Sequence, residues 1–162
     1  MIRPVTLGLA AAALLASTTL ARAAANPHEG NWQAVPEASA WAGDNAKLPT
    51  GFKLVINLHF TDNQLVYHSV NTTDPAKPYI SDHVSALDGT VAPFPNQVRF
   101  NQVSVKVTGP NDMTVLKMKD GDVIAGEFWE FSPDGKTAIR RGVGKSPEGK
   151  SHAYEEHFVH VN

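Results

Sequence analysis

Short period-two runs of apolar residues, cut at intervals by turn dipeptides, dominate the sequence and direct it toward antiparallel sheet. In 52–60, Leu54, Ile56, Leu58 and Phe60 alternate with Lys53, Val55, Asn57 and His59. Asp62-Asn63 then makes a tight turn, and 64–71 returns as the second arm of a hairpin. Further breaks fall at Asp74-Pro75, Asp88-Gly89, Gly109-Pro110, Asp120-Gly121, Pro133-Asp134-Gly135 and Pro147-Glu148-Gly149. They separate strand candidates at 79–86, 97–108, 112–118, 122–131, 136–144 and 151–161. Upstream, 30–35 is a short strand candidate, and 36–41 reads as one helical turn or a packed loop. No long stretch keeps a helical period. About eight to nine strands in hairpin order predict an all-β fold, a single antiparallel up-and-down barrel.

Residues 1–23 read as a secretory signal peptide: Arg3, an Ala- and Leu-rich run over 5–20, then Ala21-Arg22-Ala23 at the cut. The apolar run is shorter than a spanning helix needs. The expectation is a barrel domain over 24–162, periplasmic or secreted, with no membrane insertion. Loss of Arg3 and Arg22 takes the formal charge from −2 to −4. Nucleic acid and anionic lipid require clustered Lys and Arg, so neither is an expected partner. The absence of Cys excludes disulfides and Cys-ligated metals.

Gly30-Asn31-Trp32, Pro36-Glu37-Ala38-Ser39, Asp88-Gly89 and Ser132-Pro133-Asp134-Gly135-Lys136-Thr137 follow one another in an order that resembles the small exported bacterial lipocalin-like proteins. The resemblance covers essentially the whole chain after residue 23. It implies a calycin-type barrel in which Trp32 closes one end and packs against a late-strand arginine, Arg140 or Arg141. The family has no assigned activity, so for ligand binding it provides only an analogy.

Pairing 60 with 65 puts Leu54, Ile56, Leu58, Phe60, Leu65 and Tyr67 on one face, as core filling or pocket wall. With Phe131 opposite Thr137, Glu127 faces Arg141 and Trp129 faces Ile139. If the next turn centres on Glu148, Arg141 also faces Glu155, and Ile139 faces His157. A slip of one residue replaces this row with Phe128, Arg140 and Glu156. Such a row is either a polar anchor for a carboxylate or carbonyl ligand, or an ordinary set of outer-face ion pairs. His59 and His68 are diagonal neighbours without a third ligand, and His152 and His160 are too far apart to share a metal, so no metal or other cofactor is expected.

The leading expectation is a lipocalin-like binding protein for a small, mostly apolar ligand. Its candidate ligand-binding residues are Trp32, Leu54, Ile56, Leu58, Tyr67, Glu127, Trp129, Arg141 and Glu155, with no catalytic residue assigned. Two alternatives stand beside it. One is a barrel enzyme of isomerase, cyclase or hydrolase type using Glu127, Glu155 or His157 as acid and base. The other is a filled barrel that docks a partner through an apolar patch or edge strand around Val55, Val66 and Val70. The sequence leaves the ligand and the oligomeric state open.

Overall fold

The computed structural model describes residues 26–43, 47–146 and 148–161; the predicted signal peptide lies outside the described residues. Eleven strands follow in chain order: β1 (Gly30–Ala34), β2 (Ala40–Gly43), β3 (Leu54–Phe60), β4 (Gln64–Asn71), β5 (Tyr79–Ala86), β6 (Asp88–Pro93), β7 (Gln102–Gly109), β8 (Asp112–Lys119), β9 (Asp122–Phe131), β10 (Thr137–Lys145) and β11 (Ser151–Val161). Every pairing is antiparallel, in the order β5-β4-β3-β1-β11-β10-β9-β8-β7-β6, with β2 also on β11. Among the described residues the helical content is one 3-10 turn, Pro36–Ala38.

The all-β, antiparallel barrel is as expected; the strand number is higher than the eight to nine anticipated. Two causes account for it. Pro36, which has no amide hydrogen to donate, interrupts what would be one first strand, leaving β1 and β2 on successive stretches of the same partner β11. Asp88-Gly89 does not form a turn but opens β6, with Gly89 at φ +96° beside an irregularity in the β6–β7 register.

The barrel is nearly closed. β5 and β6 are consecutive in the chain and lie at the two ends of the pairing order, without pairing to each other. Leu87 bridges this seam, donating its amide to the Asn63 carbonyl at 3.0 Å and accepting the Val107 amide at 3.0 Å. Val55, Val66 and Val70 do not lie on an edge, since β3 and β4 are paired on both sides.

Alternation puts Leu54, Ile56 and Leu58 inward from β3 and Leu65 and Tyr67 from β4, as the Phe60–Leu65 register requires. At the closed end Trp32 is fully buried, its indole N–H donating to the His28 carbonyl at 3.0 Å. His160 stacks on it with ring centroids 4.8 Å apart, and Phe131 meets it edge-on at 5.3 Å. This close approach needs Gly30, which sits at φ +123° with its missing Cβ pointing into the His160 ring. The late-strand arginine implied by the resemblance is therefore not the partner of Trp32. Arg140 lies farther up the barrel, over the rings of Trp129, Tyr154 and Phe158.

Candidate functional site

Inward side chains fill the barrel from Trp32 up to about the level of Trp129 and Phe158, then stop filling it. Above them a cavity of about 640 Å3 reaches the open end, between the β4–β5 loop and the β6–β7 connection. Its apolar walls include Leu54, Tyr67, Tyr79, Ile80, Phe100 and Ala125. Its polar groups include Ser69, Ser81, Arg99, Lys117, Glu127 and His152.

A buried ionic layer separates the filled half from this cup. Arg140 donates from Nε to Glu156 Oε2 at 3.0 Å, with a second bond from its terminal nitrogen to the same oxygen. Its other terminal nitrogen stands 3.8 Å from Glu127 Oε2. Lys117 donates to Glu127 Oε1 at 2.6 Å, and the Tyr154 hydroxyl donates to that oxygen at 3.1 Å. The Trp41 indole N–H donates to Glu156 Oε1 at 3.2 Å. Two cations and two carboxylates thus satisfy one another out of water, the condition under which buried charge is tolerated. Burial pushes the Glu127 pKa up, but the charges of Lys117 and Arg140 and the two hydrogen bonds outweigh it and hold the carboxyl at about 2. Glu127 is therefore a fixed carboxylate, a poor general acid at neutral pH.

Local sequence explains the arrangement. Glu127 stands opposite Gly142, which in turn pairs with Tyr154. A Cβ at position 142 would occupy the space of the Tyr154 ring, so the glycine lets that ring lie across β10 and reach Glu127. On the opposite wall, Tyr67 stacks on His83 at 4.7 Å, Phe94 meets His83 edge-on at 5.0 Å, and His83 Nδ1 lies 2.9 Å from Ser85 Oγ. Burial, followed by the Lys117 charge, lowers the His83 pKa to about 4, so the ring is neutral.

The structure divides the sequence-predicted residues. Leu54, Tyr67 and Glu127 line the cavity. Trp32, Ile56, Leu58 and Trp129 are buried in the filled half, where they pack rather than form a wall. Arg141 and Glu155 pair in the expected register, but on the outside. Arg141 donates to Glu155 at 2.8 Å and to Glu130 at 2.9 Å, with His157 bonded to Glu155 beside them. Glu127 does not face Arg141, and Trp129 does not face Ile139; the register pairs Glu127 with Gly142 and Trp129 with Arg140. The cause is the 132–137 connection. Ser132 Oγ accepts the amides of Lys136 at 3.2 Å and Thr137 at 3.0 Å, adding one residue to the loop so that Phe131 meets Ala138. The Glu127–Glu155–His157 acid–base grouping falls with that register, because Glu155 and His157 point away from the cavity. His59 and His68 lie outside, bonded to Glu29 and Asp82. Among the described residues, no cluster of three metal-ligating side chains occurs.

Sequence reasoning missed Arg99, Lys117, Tyr154 and His152 as cavity groups and the buried His83 behind Tyr67, and reached Arg140 and Glu156 only as the slipped alternative. A Ser at the first turn position, able to accept two amides, was the local signal for that slip.

No protein-family model matches the chain, and no curated protein sequence matches it. Solved structures do. A zebrafish ileal bile acid-binding protein complexed with cholic acid superposes with a TM-score of 0.54 at 11% identity, over 83% of this chain and 99% of that one. The Caenorhabditis elegans lipid binding protein 8 gives 0.51 at 10% identity, over 83% and 96%. An S-type phycobiliprotein lyase from Guillardia theta also gives 0.51 at 10%, over 84% and 89%. At these identities the likeness is one of fold: this chain shares the nearly closed antiparallel barrel of these structures.

Proposed function

We propose that the protein is an exported binding protein that carries one small, mostly apolar molecule in the open half of its barrel. The observation that carries this reading is the cavity itself. A barrel of this size can be packed throughout, yet here about 640 Å3 stays open above a sealed floor. That volume lies within the ~300–1,000 Å3 of small-molecule sites, and its lining sets apolar and aromatic walls beside a comparable number of polar and charged side chains. The solved neighbours named for bile acid and lipid binding add an analogy. The Ala- and Leu-rich segment 1–23 supports export. The enzyme alternative is weakened because Glu127 is held ionised and its proposed partners lie outside.

Native mass spectrometry of the protein purified from its own exported fraction tests the reading. The expected result is a co-purifying small molecule that is lost when Ala125→Trp fills the cup. Equal retention by the variant, or recovery of the full-length chain from the cytoplasm alone, would count against it.

A further inference from the structure

The cup contains more positive than negative charge, and the excess lies at its open end. Lys117 is paired with Glu127, and Arg140 with Glu156 and Glu127. Arg99 also lines the cavity, from the β6–β7 connection, but among the described residues it makes no salt bridge. One of its terminal nitrogens donates to the Lys145 carbonyl, and its guanidinium lies over the Phe100 ring at 4.9 Å. Lys117 Nζ stands 5.8 Å from the centroid of the same ring.

Two buried polar atoms in this region have no hydrogen-bond partner: Arg99 Nε and His152 Nδ1. Both belong to side chains lining the one cavity. His152 is held in place by stacking, 5.9 Å from the Trp41 ring and 5.8 Å from Tyr154. Its pKa is lowered by burial and by the Arg99 charge, so the ring is neutral, and the tautomer with hydrogen on Nδ1 presents an N–H donor. An unpaired guanidinium N–H out of water is costly, and such atoms in native structures call for a partner. A guanidinium matches the oxygen geometry of a carboxylate or a phosphate, and of the two the carboxylate carries the single charge that one unpaired arginine balances.

The floor repels what the mouth attracts. A carboxylate lowered onto Arg140 would stand beside two carboxylates already bonded there, Glu127 and Glu156. Glu127 and Glu148 reach Arg99 only through space, and neither makes a salt bridge to it.

We propose that Arg99 and His152 form the anion subsite of the cup. Its ligand is a small organic carboxylate, bound with its charge at the open end and its apolar body toward Leu54 and Tyr67. This rests on the cup being the ligand site, as proposed above, and adds the ligand's charge and orientation.

A matched pair of fluorescent probes tests it: 1-anilinonaphthalene-8-sulfonate and its uncharged analogue N-phenyl-1-naphthylamine, which lacks the sulfonate. The wild-type chain is expected to bind the anionic probe roughly ten- to hundredfold more tightly, the range of one charge-assisted bond. Arg99→Gln brings the ratio close to one, with an unchanged circular dichroism spectrum and melting profile. 1-Naphthoate displaces the anionic probe, whereas 1-naphthylmethanol and 1-naphthyl phosphate compete less well. Equal affinity for the two probes in the wild type, or a ratio unaffected by Arg99→Gln, overturns the subsite. Stronger competition by the phosphate overturns the carboxylate assignment. If neither probe binds, the failure belongs to the cup as a ligand site.

Discussion

Arg140 and Arg141 are adjacent on β10, and replacing each by Met perturbs opposite faces of the same strand. The Arg140 side chain is 8% exposed, against 3% for Glu156 and 5% for Glu127. Arg140→Met leaves Glu156 with the Trp41 indole as its remaining donor and leaves the layer with two carboxylates and one cation. Stranding a buried charge in this way costs about 3–5 kcal/mol. In urea, with a slope of roughly 2 kcal/mol per M for a domain of this size, the unfolding midpoint falls by about 2 M. Arg141 is 47% exposed, and solvent screens its bonds to Glu130 and Glu155, so Arg141→Met leaves the midpoint near the wild-type value. Adding Glu156→Gln to Arg140→Met recovers stability, because it removes the stranded charge. The assay is equilibrium unfolding at pH 7 followed by tryptophan fluorescence, since Trp129 lies against Arg140. Comparable losses for the two arginine variants, or a double variant weaker than Arg140→Met alone, would refute the inward register and the neutral ionic layer.

Acid sensitivity follows from His83. Because its folded pKa of about 4 lies below the ordinary 6.5, its stabilising contribution is complete above pH 6.5 and is lost as pH falls toward 4. The loss approaches about 3 kcal/mol at roughly 1.4 kcal/mol per unit. His152 acts in the same direction. Glu127 adds its own loss only below its ordinary 4.5, as pH falls toward 2. His83→Gln should therefore flatten stability between pH 6.5 and 4.5 in urea titrations; an unchanged slope would show that His83 does not titrate there. Gly142→Ala pushes the Tyr154 ring off Glu127 and lowers stability by about 1–3 kcal/mol through overpacking, read by thermal melting. A neutral result would mean that the ring does not cross β10.

The strands were readable wherever alternation and turn chemistry agreed, as in the β3–β4 hairpin, where Asp62-Asn63 fixes the register and thereby the inward face. Register failed at 132–137 because a turn's length depends on which side chain closes it. Ser132 accepts two amides and shifts every downstream β9–β10 pair by one residue. A shift of that kind exchanges the faces of β10, which is why Arg141 was favoured over Arg140. β6 escaped notice because Asp88-Gly89 resembles a turn in sequence, whereas the structure reverses the chain around Leu87. The cavity was legible only in part. Alternation identifies inward residues but carries no information on where along the axis they stop filling the barrel, so Ile56 and Leu54 looked equivalent. Arg99 falls within the strand candidate 97–108, but β7 begins only at Gln102, so the alternation over 97–101 does not indicate its direction.

β11 contributes a residue to every level of the interior: His160 against Trp32, Phe158 against Trp129, Glu156 to Arg140, Tyr154 to Glu127, and His152 to the cup. Its other edge pairs with β1, Asn31 opposite Val161, a contact spanning nearly the whole chain. Without β11 the barrel therefore has no way to complete floor, ionic layer or rim. The loop-closure entropy of that longest contact must also be met before the first strand has both neighbours. The native barrel therefore closes only once β11 has docked between β10 and β1.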